Sequence, residues 1–375
     1  MQDNLFQDIH KPNKIQQIRI PYQGSKRTIA TQLIDKMLEV KPNAKYFYDL
    51  CGGGGSVSFT ALQYGFKVHY NELQTSLVEF LEYTLDRVKN NIRSEFGIFP
   101  EEWYNFVSRE EFFKQKPLQT PYSQFVRICY SFANNQNNFA FHTDTEMNKR
   151  LGHNIVVFQC ETSLKKYNED NGTCFTISNK LTWNERRLDY LREWRSQIKA
   201  NECYKEVVET NFVKNHAQFT SLKKKQWLET AVNDRGFEHL ERLMCLERLE
   251  NLERLEKLEQ TERLVHLENL ENIETPQPFT ISSLDFKDVK ITTPPEESIL
   301  YIDPPYRGTG KYIEGKDINY KELDEWFANN QHTVFMSEYN APFEPILEIP
   351  KMKLMKSKGI DKRTYAMEKL FWNGK

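Results

Sequence analysis

The sequence predicts an α/β fold: a parallel sheet flanked by helices and divided by a long, mainly helical insertion. Three observations predict it. Strand, glycine turn, helix and second strand follow one another between residues 46 and 72. A buried-strand run closed by two prolines appears only near residue 300, and the pattern between roughly 90 and 275 is helical.

In chain order, Tyr46-Phe47-Tyr48-Asp49-Leu50 is an aromatic and apolar strand that runs into Cys51-Gly52-Gly53-Gly54-Gly55. Ser56 to Leu62 is helical and is capped by Gly65, and Phe66-Lys67-Val68-His69-Tyr70 is the next strand, ending at Asn71-Glu72. This β-α-β unit carries a carboxylate about 20 residues past the turn, where nucleoside-binding sheets place a ribose partner. Further on, strands are expected at Phe279 to Leu284, Ser298 to Ile302 and His332 to Ser337, with a helix around Glu322 to Phe327. Because Pro304 and Pro305 cannot continue a central strand, Asp303-Pro304-Pro305-Tyr306 projects as a loop from a strand's carboxyl end. The expected division is 1–95 with 276–375 as one discontinuous domain, and 96–275 as an insert. Asn184 to Ile198 is one of the insert's helices.

The insert holds a leucine every third residue from Leu240 to Leu258, resuming at Leu264, Leu267 and Leu270. A stride of three turns about 300° on an α-helix, so the leucines drift around the axis and form no coiled-coil seam. Strong helix formers and i to i+4 pairs such as Glu250 with Arg254 and Glu259 with Arg263 predict one long helix over about 238–274. A tolerated triplet expansion explains the repeat as well as any recognition role does.

With 375 residues, 39% hydrophobic and 13% aromatic, the chain can bury a large core. Mean hydropathy is −0.71, no apolar run approaches the roughly 20 residues of a membrane helix, and no secretory signal opens the chain, so a cytoplasmic address is expected. Six cysteines lie scattered with no C-x-x-C pair, which fits free thiols better than zinc or disulfides. Net charge is −2, but residues 238–274 hold eleven Glu against five Lys or Arg, so −6 lies there and +4 elsewhere. That balance permits a nucleic-acid partner without demanding one.

Four glycines alone also suit a flexible linker, and D-P-P-Y alone also suits a rigid turn. If Gly52 and Gly54 began a dinucleotide fingerprint, Val57 would stand where Gly or Ala is wanted, so a nicotinamide enzyme is the second choice. The order of glycine turn, long insert and strand-ending D-P-P-Y resembles the Dam-type DNA adenine N6-methyltransferases, bacterial and phage enzymes whose donor is S-adenosylmethionine. The resemblance covers roughly residues 18–80 and 279–375. Tyr22-Gln23-Gly24-Ser25-Lys26 is similar to the family's aromatic-x-Gly-Gly-Lys motif, with Ser25 replacing a glycine. Asp49-Leu50-Cys51-Gly52-Gly53-Gly54-Gly55-Ser56 resembles D-L-F-C-G-G-G-S, with one aromatic missing and one glycine added, so the loop register is open by one residue. Glu72 matches the family's ribose acid, and Asp285-Phe286 its D-F pair beside the cofactor adenine. Phe335 to Asn340 resembles a strand ending in an apolar-Ser motif, and Glu368 to Asn373 a terminal E-x-L motif.

The resemblance implies a Rossmann-like methyltransferase sheet with an inserted target-recognition domain. It assigns Asp303, Pro304, Pro305 and Tyr306 to the target base. Tyr22, Gly24, Lys26, Asp49, Gly52, Gly53, Gly54, Glu72, Asp285, Phe286 and Asp303 fall to S-adenosylmethionine, with no metal. The adenine amine is a poor nucleophile because its lone pair is delocalised. Asp303 and the Pro304 carbonyl can each accept one amine hydrogen, and Tyr306 would stack on the flipped base. For base readout or phosphate contact the candidates are Arg127, Asn134, Asn135, Gln136, Lys223 and Lys224, against the plainer readings of an amide-rich loop and a solvated charge run. Double-stranded DNA is the implied partner, and a cognate restriction endonuclease, solitary action and a mobile element all stay open. So do cytosine N4 or RNA as methyl acceptors, and a DNA-binding relative without turnover.

Overall fold

Short runs dense in aromatic and β-branched residues build the sheet. The computed structural model describes residues 16, 19–171, 173–200, 259–272, 278–308, 318–357 and 360–375. All five strands expected from the sequence are present, as β1 (Tyr46–Asp49), β2 (Lys67–Asn71), β3 (Phe279–Ser282), β4 (Ser298–Ile302) and β5 (Thr333–Glu338). They pair in parallel, while β6 (Pro345–Ser357) and β7 (Ile360–Trp372) form an antiparallel hairpin whose second strand docks on β5. The seven-stranded order is β3-β2-β1-β4-β5-β7-β6, a Rossmann-like methyltransferase sheet. From β1 the chain proceeds outward to β2 and β3, then returns to β4 on the other side. The crevice at the carboxyl ends of β1 and β4 is therefore the topological switch point, where α/β sheets bind ligands.

Ten helices lie among the described residues: α1 (Ala30–Val40), α2 (Ser56–Gln63), α3 (Thr75–Lys89), α4 (Arg109–Gln115), α5 (Pro121–Tyr130), α6 (Thr143–Phe158), α7 (Glu161–Asn171), α8 (Trp183–Ala200), α9 (Glu259–Glu268) and α10 (Tyr320–Asn329). Strand alternation sends Phe47, Ile299, Tyr301 and Phe335 into one apolar cluster and Tyr48, Leu300, Ile302, Val334 and Met336 into another. The second cluster is closed by Leu323 and Phe327 of α10. The first runs without a break from α1, α2 and α3 into the insert, through Phe99, Trp103, Phe125, Val126 and Leu267. Sheet and insert thus share one core.

The leucine repeat is described only from residue 259, and residues 238–258 lie outside the described residues. There α9 gives way at Asn269–Asn272 to a 3₁₀ turn, whose three-residue period keeps a stride of three on one side. Leu264 and Leu267 on α9 and Leu270 on the turn are all buried, and the drift expected over the longer repeat falls mostly outside the described residues. Arg263 is buried, and Nη1 donates to the carbonyls of Cys129 (3.0 Å) and Ser131 at the end of α5, while the side chain of Glu259, its expected partner, lies outside the described residues.

Glu268 closes α9 and accepts hydrogen bonds from the Tyr104 hydroxyl and from Ile98 N at 3.0 Å, while burial pushes its carboxyl up to about 7. Folding therefore holds this proton more tightly than the unfolded chain does. The resulting stabilisation is complete below the unfolded value near 4 and is lost as pH rises through about 7. Between about pH 5 and 8, Glu268→Gln should show a smaller fall in Tm than the wild type. Parallel curves would contradict this linkage.

Candidate active site

Beyond β1, Gly52 N donates to Asn71 O and Gly55 N to Gly52 O, both at 2.8 Å, which closes a tight turn. Gly55 caps α2 at φ 71°, a conformation L side chains rarely adopt. The Tyr70 ring lies under Gly52, and its hydroxyl donates to Gly53 O at 2.7 Å. Over the loop crosses the segment around Ile20, whose N donates to Gly54 O at 2.8 Å. Gly52, Gly53 and Gly54 line a cavity of about 390 Å³, whereas Gly55 packs on Phe59, which fixes the loop register.

Asn71 ties three strand ends together. Its Nδ2 donates to Leu50 O (2.9 Å) and Leu284 O (3.0 Å), and its Oδ1 accepts from Ser282 Oγ (2.6 Å) and Leu284 N (3.0 Å). That brings Asp285 and Phe286 onto the cavity wall beside Glu72. Glu72 is itself fixed, because Oε2 accepts from Gly53 N at 2.8 Å and Oε1 from Gln74 N at 3.0 Å. Asp285 Oδ1 accepts from Lys287 N at 3.2 Å, and the Phe286 ring meets Trp326 edge-on with centroids 5.1 Å apart. Asp49 lies beneath, with Oδ2 accepting from Ser58 Oγ at 2.6 Å and Oδ1 unpartnered among the described residues. Burial pushes this carboxyl up to about 7.

On the opposite wall β4 delivers Asp303, which is 20% exposed. The loop after it is clamped at two points: Tyr320 hydroxyl donates to Pro305 O at 2.9 Å, and buried Glu338 accepts from Arg307 N at 3.0 Å. Lys26, only 4% exposed, reaches Asp303 Oδ2 at 2.7 Å, and its ammonium lies 4.6 Å from the centroid of the Tyr306 ring. Asp303 Oδ1 is buried without a hydrogen-bond partner among the described residues. Burial, then the neighbouring Glu368 charge, raise the Asp303 carboxyl, and Lys26 opposes them. Pro305 lines the cavity, but Pro304 and Tyr306 stand behind the wall. The Tyr306 hydroxyl donates to Glu368 Oε1, and Tyr339 packs edge-on at 4.5 Å. Asn71, Tyr70, Glu338 and the role of Glu368 are additions that the sequence reading did not make.

Five carboxylates line the cavity (Asp49, Glu72, Asp285, Asp303 and Glu322) against two ammonium groups (Lys26 and Lys287). Such a wall favours a cationic ligand and repels a pyrophosphate. Among the described residues, no group of three or more His, Cys, Asp or Glu could hold a metal ion, and no helix is long and apolar enough to cross a membrane.

The family model of the D12 class N6 adenine-specific DNA methyltransferases matches residues 22–221, just over half of the chain. The chain belongs to that family. No curated protein matches it. DNA is thus the substrate class and adenine methylation the class of reaction. The match runs from Tyr22 through α8, and Asp303 lies beyond it.

Within the methyltransferase insert, two of the expected DNA contacts point inward. Arg127 is 1% exposed and donates from Nη2 to Ser76 Oγ at 2.9 Å, because α5 turns it toward α3. Gln136 is 2% exposed, and its Oε1 accepts from Gln74 Nε2 and Gln124 Nε2, each at 3.0 Å. These two side chains brace the loop against Gln74, Ser76 and Gln124 instead of facing a groove. Asn134 stands at φ 58°, and Asn135 Oδ1 accepts from Asn137 N (2.9 Å) and Asn138 N (3.0 Å), capping its own turn. Lys223 and Lys224 lie outside the described residues.

Proposed function

We propose that the protein transfers a methyl group from S-adenosylmethionine to N6 of an adenine flipped out of duplex DNA. The observation that carries this reading is the switch-point cavity itself, with the glycine loop and Glu72 on one wall and Asp303, holding an unmet acceptor, on the other. S-adenosylmethionine, when bound, supplies an electrophilic sulfonium methyl whose bond pair stays with sulfur. Its positive charge suits a wall of five carboxylates, and the same wall argues against a nicotinamide dinucleotide. A cavity of about 390 Å³ falls within the usual range for small-molecule sites.

The chain's own residues divide the work. Both Glu72 oxygens are oriented by backbone N–H groups and keep lone pairs for ribose hydroxyls. Asp285, Phe286, Tyr22, Gly24, Lys26 and Asp49 all line the cavity, where Asp285 and Phe286 would hold the cofactor's adenine and the others its methionine part. Asp303 Oδ1 accepts an N–H of the target amine, aligns the nitrogen lone pair and takes up the proton that nitrogen sheds. Buried aromatic and proline residues behind it exclude water, and Tyr306 offers the stacking ring once the base is unstacked.

Saturation binding tests the cofactor half. S-adenosylmethionine and S-adenosylhomocysteine should each raise Tm in a concentration-dependent way while NAD does not, and a shift with NAD alone would sink the reading. Glu72→Ala should weaken S-adenosylmethionine by roughly tenfold to a hundredfold, since it removes the ribose acceptor and frees Gly53 N and Gln74 N. An unchanged Kd would remove Glu72 from the site. For the reaction half, label from the donor methyl group must appear in unmethylated DNA.

A further inference from the structure

Lys26 holds the other oxygen of the carboxylate that the target amine is proposed to use, and it covers the ring on which the target base is proposed to stack. Its ammonium donates to Asp303 Oδ2 at 2.7 Å and covers the Tyr306 ring at 4.6 Å. A base that stacks on that ring must displace the ammonium, and a buried ammonium moved off its carboxylate would be left as an uncompensated charge. A second carboxylate is already waiting. Glu368 Oε1 lies 3.7 Å from Lys26 Nζ, about 1 Å longer than the ion pair to Asp303.

The position of Glu368 follows from the fold. It lies on β7 opposite Ile349, beside the Lys369 position that pairs with Glu338 of β5, and is 1% exposed. The Tyr306 hydroxyl donates to the same carboxylate, which holds it toward the lysine. Sheet backbone fixes Glu368, whereas the lysine stem has four rotatable carbons and can swing between two acceptors.

We propose that Glu368 is a positioning residue that takes the Lys26 ammonium from Asp303 as the target amine arrives, exchanging one ion pair for another within the buried site. This rests on the adenine-methylation reading. With Glu368 present, Asp303 is released to the amine while the ammonium keeps a partner. Without it, Lys26 stays on Asp303 and keeps the Tyr306 ring covered against the base.

The test is a cycle of wild type, Glu368→Gln, Lys26→Met and the double variant. Glu368→Gln keeps an acceptor for the Tyr306 hydroxyl and loses only the charge. Each protein is assayed at saturating S-adenosylmethionine, and by fluorescence of a duplex with 2-aminopurine at the site where the wild type places methyl. Wild-type failure to methylate DNA, with cofactor bound, would count against the functional reading and not against Glu368. Given wild-type turnover, Glu368→Gln should lower kcat by about tenfold or more and reduce the fluorescence of the flipped base. It should also move the acid limb of the kcat profile to lower pH, because Asp303 loses a like-charged neighbour. In the Lys26→Met background the same change should alter base occupancy by less than about twofold. Equal losses in both backgrounds would overturn the proposal, and the occupancy readout decides even where Lys26→Met itself does not turn over.

Discussion

Asp303→Ala is expected to lower methyl transfer by about a thousandfold or more, equivalent to about 4 kcal/mol of transition-state stabilisation, while S-adenosylmethionine binds with a Kd within about twofold of wild type. The split follows from the geometry. Asp303 Oδ2 pairs with Lys26, and Lys26 retains Glu368 at 3.7 Å when Asp303 is removed. The fold therefore keeps its buried ammonium paired. Single-turnover rates with a saturating donor, beside a cofactor titration, check the result. Loss of both activities in a folded variant would assign Asp303 to the cofactor instead.

Gly54→Ala is expected to destabilise the protein by about 3 kcal/mol and to abolish measurable cofactor binding at concentrations that saturate wild type. A Cβ there would stand 2.3 Å from the Ile20 carbonyl oxygen and 2.9 Å from Tyr22 Cβ, so the first clash is with backbone, which no rotamer change relieves. The displaced segment is the one that lays Tyr22, Gly24 and Lys26 over the loop. Gly53→Ala is the contrast. Its Cβ meets only the Tyr22 ring edge at 3.1 Å, and with φ at 48° the expected cost is about 1 kcal/mol. Thermal melts of the two variants, with and without S-adenosylmethionine, separate them. Equal shifts in Tm would show that the approach to Ile20 is not what requires glycine.

Much of the cavity wall was legible because its signals are local. Ser298 to Ile302 is an unbroken apolar run halted by two prolines, and the structure keeps those residues as β4. The glycine turn, Glu72 and Asp285, each visible as a short local pattern, line one cavity. Distant pairings were less legible. Glu368 reads as a polar residue before a short apolar run, and only the docking of β7 against β5 buries it beside Lys26 and Tyr306. Arg127 reads as an arginine near an amide-rich loop. A helical signal was nevertheless present, since Thr120 and Ser123 form a capping box with Pro121 at the first turn, and α5 then carries Arg127 into the core. Arg263 shows the same limit. Its i to i+4 spacing from Glu259 is a local pattern, whereas its hydrogen bonds to the carbonyls at the end of α5 join segments far apart in the chain.

The measurement that tests the central claim most directly is methyl transfer from labelled S-adenosylmethionine to unmethylated duplex DNA, followed by digestion to nucleosides. The account predicts label in 6-methyladenine alone, absent with Asp303→Ala. Label in 4-methylcytosine or in RNA, or none in duplex or single-stranded DNA despite demonstrated cofactor binding, would contradict it.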